Sequence, residues 1–312
     1  MDTKRVVAIA LATVLLLSLA SPASAQTGRH YAEDTVVIAN GAFHPLVSVT
    51  IQANQGDKFY VNARLQTKRA RQNPTHRMLV ALLLGCRDDE VELRSTQNID
   101  YGTHVLAHKG RYIFTAPRDG EFECRLQARG LIHGVQSDPP ARYTVDGAHT
   151  YLSVSGVQPA WVRHRYQGSQ RLIRTGRAKD LVPMSFTAPA GVSRFSATAD
   201  IEMTDCYNAG YLCDTIPSNR KSSVAGTRLL VMQKARDGGY CRVNAWPASG
   251  LKRTTITWEQ HHKKSYHRMV DIPVSTAPNC TRDFRIKVYA RALSGNDLMI
   301  EMKPYTNAFV RP

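Results

Sequence analysis

Thr257 to Arg268 read Thr-Trp-Glu-Gln-His-His-Lys-Lys-Ser-Tyr-His-Arg, a run rich in side chains that titrate, ligate or stack. His261, His262 and His267 could offer imidazoles to a metal ion. In an extended strand, however, neighbours such as His261 and His262 point to opposite faces, and Glu259 is the one acid close by. The run reads better as an anion-binding rim. His262, Lys263 and Lys264 supply charge and donors, and Trp258 and Tyr266 supply flat faces for stacking. A basic strand edge that discourages pairing with other chains would have a similar composition. Neither a metal nor another cofactor is expected.

Two further clusters carry positive charge. Lys68, Arg69 and Arg71 precede His76 and Arg77, and Arg163 and Arg165 flank His164 ahead of Arg171, Arg174, Arg177 and Lys179. Alternation places Arg163 and Arg165 on one strand face. Three such clusters on one side would make a track for an anionic polymer. The segment from Cys206 to Cys213 reads as a small stapled loop presenting Tyr207 and Tyr211, a recognition element that loses little entropy on contact. Catalysis has little support: neither a G-x-S-x-G elbow nor an H-E-x-x-H pair is present, and Asp88 and Asp89 are adjacent rather than set across a cleft.

Strands must position these groups. The phrase Phe-Thr-Ala-Pro occurs at 114–117 and at 186–189, and Thr-Ala-Pro at 276–278. Proline lacks a backbone donor, so each copy ends a strand and opens a turn. Period-two alternation follows each time: Phe122, Cys124, Leu126; then Phe195, Ala197, Ala199; then Phe284, Ile286, Val288. A worn copy, Ile51 to Gly56, precedes Phe59 and Val61. Four hairpins in two halves predict an all-β chain of two tandem antiparallel β-sandwich domains related by internal duplication, each with about seven strands. Arg77-Met-Leu-Val matches Arg228-Leu-Leu-Val, and Tyr151–Val154 is set against Leu298–Met302 as the last strand of each half. The domains are read as residues 26–156 and 157–312.

Residues 1–25 have a basic start, an apolar run from Val6 to Ala20 and a small-x-small ending at Ala25, the pattern of a secretory signal peptide. Cleavage would leave 287 residues (312 minus 25) without a membrane-spanning stretch and with all six cysteines. In an oxidising compartment these read as disulfides, with Cys86 to Cys124, Cys241 to Cys280 as its equivalent, and Cys206 to Cys213. Net charge falls from +16 to +15 on removing Lys4, Arg5 and Asp2. Such a field favours anionic partners. The chain is therefore read as a secreted, non-catalytic protein binding an anionic cell-envelope or extracellular polymer. The alternatives are a protein-interaction or inhibitor module using the 206–213 loop, and a hydrolase.

Overall fold

Alternating apolar and polar residues build a chain of antiparallel strands. The computed structural model describes residues 28–39, 41–68, 77–87, 91–99, 105–133, 142–157, 162–206, 222–257, 260 and 262–312. Residues 1–25, read from the sequence as a signal peptide, lie outside the described residues.

The first half comprises β1 (His30–Tyr31), β2 (Thr35–Ile38), β3 (Phe43–Ala53), β4 (Lys58–Lys68), β5 (Arg77–Gly85), β6 (Leu93–Ile99), β7 (Val105–Thr115), β8 (Gly120–His133), β9 (Arg142–Val145) and β10 (Tyr151–Val157). One sheet has the order β1-β10-β4-β9-β2, with β7 along the other side of β4, and the facing sheet runs β3-β8-β5-β6. The second half comprises β11 (Arg163–Tyr166), β12 (Arg171–Ile173), β13 (Ala178–Thr187), β14 (Arg194–Asp205), β15 (Ser222–Ala235), β16 (Tyr240–Trp246), β17 (Lys252–Thr257), β18 (His262–Pro273), β19 (Cys280–Ser294), β20 (Leu298–Ile300) and β21 (Asn307–Arg311). Its sheets run β11-β21-β14-β20-β12, with β18 along β14, and β13-β19-β15-β16, with β17 also on β15.

The two halves thus repeat one topology strand for strand: β4 answers to β14, β7 to β18 and β8 to β19, with β16 and β17 together in the place of β6. Each half has more strands than the seven expected. The additions, such as β1, β2, β12 and β20, are two to four residues long, too short for alternation to show. The last-strand match needs correction. Tyr151–Val154 lies in β10, whose counterpart is β21, whereas Leu298–Ile300 forms β20, the counterpart of β9.

Each core centres on phenylalanines from the recurring phrase and the strands around it. Phe59, Phe114 and Phe122 pack together in the first half, and Phe186, Phe195 and Phe284 in the second. All are buried, each contributing about 1.5–3 kcal/mol of transfer free energy. Cys86 bonds Cys124 and Cys241 bonds Cys280, as expected. These cystines are not positional equivalents, however. Cys86 directly follows β5, whereas Cys241 lies on β16, beyond the turn that ends β15. Cys206 is disulfide-bonded too, and its expected partner Cys213 lies outside the described residues.

Candidate functional site

Alternation gives each strand of the second half's β14–β18 pair a face turned away from its own core. That face carries Thr198, Asp200, Glu202 and Thr204 from β14, and His262, Lys264, Tyr266 and Arg268 from β18, because residues directly opposite share a side. Most of it is pressed against the first half. Asp200 is fully buried and ion-paired with the Arg111 guanidinium of β7, whose Nε donates to Asp200 Oδ2 at 3.2 Å. Burial works against the Arg111 charge, but Asp200 holds its pKa above the ordinary arginine value. Glu202 accepts from the Thr96 amide at 3.1 Å and from the Thr96 hydroxyl, and lies 3.8 Å from Lys264 Nζ. Burial pushes Glu202 up to about 7 and pushes Lys264 down, each moving toward its neutral form.

These contacts finish the open edges of the first sandwich. In its sheets, β6 pairs with β5 and β7 pairs with β4, so each strand has one bare side. Along β6, Thr96 donates to Glu202, the Arg94 amide donates to Pro304 O at 3.0 Å, and Arg94 O accepts from Lys264 Nζ at 3.0 Å. Along β7, the Tyr266 hydroxyl accepts from the Lys109 amide at 2.9 Å and donates to Lys109 O at 3.1 Å, and Asn307 Nδ2 donates to Arg111 O at 2.8 Å. An apolar cluster of Ile113, Val162 and Phe309 closes the middle.

A different face of the second half is open. The buried series Phe284, Ile286, Val288 and Ala290 of β19 alternates with Arg285, Lys287, Tyr289 and Arg291. The latter four share the outer face of the sheet with Arg228 of β15 and Arg253 of β17. Consecutive outward residues stand about 6.6–6.8 Å apart along the strand. Arg285, Arg291 and Arg253 are exposed, and among the described residues none of them has an ion pair. Lys287 pairs with Asp180 at 2.7 Å, and Asp283 accepts from the Thr187 hydroxyl. The Arg228 guanidinium is held by Pro247 O and Ala248 O at 3.1 and 2.5 Å, beside a groove of about 660 Å³ bounded by β16 and β18. The outcome is a basic sheet face with Tyr289 in its midst.

The residues singled out in the sequence divide. Arg163 and Arg165 are exposed on β11, with Arg165 donating to Pro183 O at 2.6 Å. His262 lies 2.9 Å from Thr204 Oγ1, and Lys263 is half-buried with its pKa lowered by that burial. Lys264 and Tyr266 are corrected. The Lys264 side chain is 2% exposed and paired with Glu202, and the Tyr266 hydroxyl is spent on β7, so neither belongs to an open rim. His267 faces the core beside Ser265 and Thr227, on the opposite side of β18 from His262, so the two cannot share an ion. Among the described residues no group of three or more His, Cys, Asp or Glu side chains is placed to hold a metal. Lys68 ends β4, while Arg69, Arg71, Tyr207, Tyr211 and Trp258 lie outside the described residues. The Arg285–Arg291 series is not singled out in the sequence, although its signal is in the letters: it is the polar half of the alternation whose apolar half, Phe284, Ile286 and Val288, forms core.

No known family matches the chain, and no curated protein matches it in sequence. Among solved structures it is similar to a chain of the T13 viral particle of infectious bursal disease virus, at 8% identity and a TM-score of 0.31, over 91% of this chain and 70% of that one. A protein from Parabacteroides distasonis aligns at 8% identity and a TM-score of 0.21, over 94% and 92% of the two chains. The ANX2 ectodomain from Arabidopsis thaliana aligns at 7% identity and a TM-score of 0.23, over 90% and 89%.

Proposed function

We propose that this is a secreted, non-catalytic binding protein that adheres to an anionic extracellular or cell-envelope polymer through the basic sheet face of its second half. The observation that carries the reading is the outward series Arg285, Lys287, Tyr289 and Arg291 on β19, bordered by Arg228 and Arg253. A regular row of cations on a rigid sheet suits a repeating anion better than a small ligand, and a central tyrosine adds a stacking surface. Disulfides agree with an oxidising compartment. Arg163 and Arg165 add exposed charge on β11, whereas Lys264, buried against Glu202, contributes none.

Retention on immobilised dextran sulfate tests this. Binding should weaken steeply as salt rises, since opposing charges are screened and counterions are no longer released to advantage. The Arg285→Glu/Arg291→Glu variant should elute at clearly lower salt than the parent chain. Retention that ignores salt, or that is equal in the two proteins, refutes the assignment.

A further inference from the structure

The repeated topology exposes in the second half a surface that the first half has covered. On β7, Arg111 stands opposite Asn62 of β4; on β18, Arg268 stands opposite Thr198 of β14. Phe59 and Phe195 head the buried series of β4 and β14 with an offset of 136, and Asn62 and Thr198 differ by the same 136, so Arg268 occupies the place of Arg111. Two residues on, the match loosens: Ile113 stands opposite Tyr60, and at the corresponding Ser196 the β14–β18 register shifts, so that Val270 and Asp271 together fill the place of Ile113. In the first half, Arg111 is neutralised by Asp200, and Ile113 is buried against Val162 and Phe309. In the second half, Arg268 is exposed and Val270 is 51% exposed. The surrounding groove of about 660 Å³ is walled by Trp246 and by Val243, itself 57% exposed.

We propose that this groove is a docking site for a protein segment that presents a carboxylate next to apolar side chains, the chemistry that covers the equivalent place in the first half. Arg268 lies near Arg311, and their mutual repulsion would be relieved by an incoming carboxylate. Asp271, next to Val270 in the lining of the groove, keeps a second carboxylate away and so orients the segment, with the acid at Arg268 and the apolar residues at Val270 and Val243. A second copy of this chain is a poor occupant. Its own Asp200 is already committed to Arg111, and the first half has Arg64 at the corresponding place on β4 (64 plus 136 is 200), which would repel Arg268.

The probe is an end-capped synthetic peptide with the chain's own Thr198–Thr204 sequence, Thr-Ala-Asp-Ile-Glu-Met-Thr, titrated onto the intact protein and followed by backbone amide shifts. Shifts should cluster at Arg268, Val270 and β16. Arg268→Glu should weaken binding about tenfold or more, the loss expected for one charge-assisted pair. Val270→Asp should also weaken it, and so should a peptide with Asp replaced by Asn and Glu by Gln. The Arg285→Glu/Arg291→Glu variant should bind the peptide normally, which separates this site from the polymer-binding face. Three results overturn the proposal: no shift at millimolar peptide, shifts confined to β6 and β7, or binding indifferent to Arg268. A concentration-dependent dimer dissolved by Arg268→Glu would likewise overturn it, in favour of a second copy.

Discussion

Arg111 and Asp200 show what a single charged pair does at the join between the halves. Both are removed from water, so deleting one partner strands the other as an uncompensated charge. Arg111→Ala or Asp200→Asn should each cost about 3–5 kcal/mol, whereas Arg111→Met with Asp200→Leu should restore much of the loss. Urea unfolding of the three variants measures this, and single-variant losses below about 1 kcal/mol would contradict a desolvated pair. Titrations at this scale oppose one another. His108, His164 and His267 are held down to about 3, chiefly by burial. Unfolding lets each take up a proton below its ordinary value of about 6.5, so the stability they confer fades as pH falls. Glu202, raised to about 7, acts in the other direction and favours the fold at low pH, losing its contribution as pH climbs from its unfolded value of about 4.3 toward 7. Three protons gained less one released leaves a net uptake of two. These four groups should therefore lower stability by about 2.7 kcal/mol per pH unit from about pH 6.5 down to 4.3, and by about half as much again below 4.3. Denaturation midpoints across pH 4 to 7 test the sign: a rise in stability on acidification would contradict it.

Strands make these residues meet, and strand patterning was the legible part of the chain. Phe195, Ala197 and Ala199 predict a strand with one face in the core; β14 is that strand, but it is buried on both faces from Ala197 to Asp205. What alternation cannot report is what covers the other face. Asp200 and Glu202 have the spacing of solvent-facing residues, and nothing local distinguishes them from Arg285 or Lys287, which do face solvent. Lys264 and Tyr266 misled for the same reason. A basic run looks solvated until the acid that neutralises it, far away in the sequence, is placed against it. The contrast yields a prediction at this level. Arg285→Glu and Arg291→Glu should leave stability within about 0.5 kcal/mol, because exposed positions without partners are tolerant. Thermal unfolding beside the dextran sulfate measurement separates lost binding from lost folding. Replacing Cys86 and Cys124 together by alanine should cost about 4 kcal/mol, from the 38-residue separation they close, read from the shift in urea midpoint of the oxidised protein.

In the whole molecule the second half serves as the missing neighbour of the first. Bare strand edges invite pairing with other chains, and β6 and β7 have theirs closed by Glu202, Lys264, Pro304, Tyr266 and Asn307. The halves should therefore unfold in one transition by calorimetry. A fragment ending at Val157 should aggregate at concentrations where the full chain stays monomeric; light scattering decides this, and a well-behaved fragment would count against the edge argument. The order of synthesis sharpens the point. A ribosome finishes the first half 150 residues (307 minus 157) before it reaches Asn307, the last of the covering side chains. At about 5–20 residues per second the nascent protein spends about 8–30 s with two raw sheet margins before its own guard has been translated. Until then, protection against mispairing must come from outside the polypeptide.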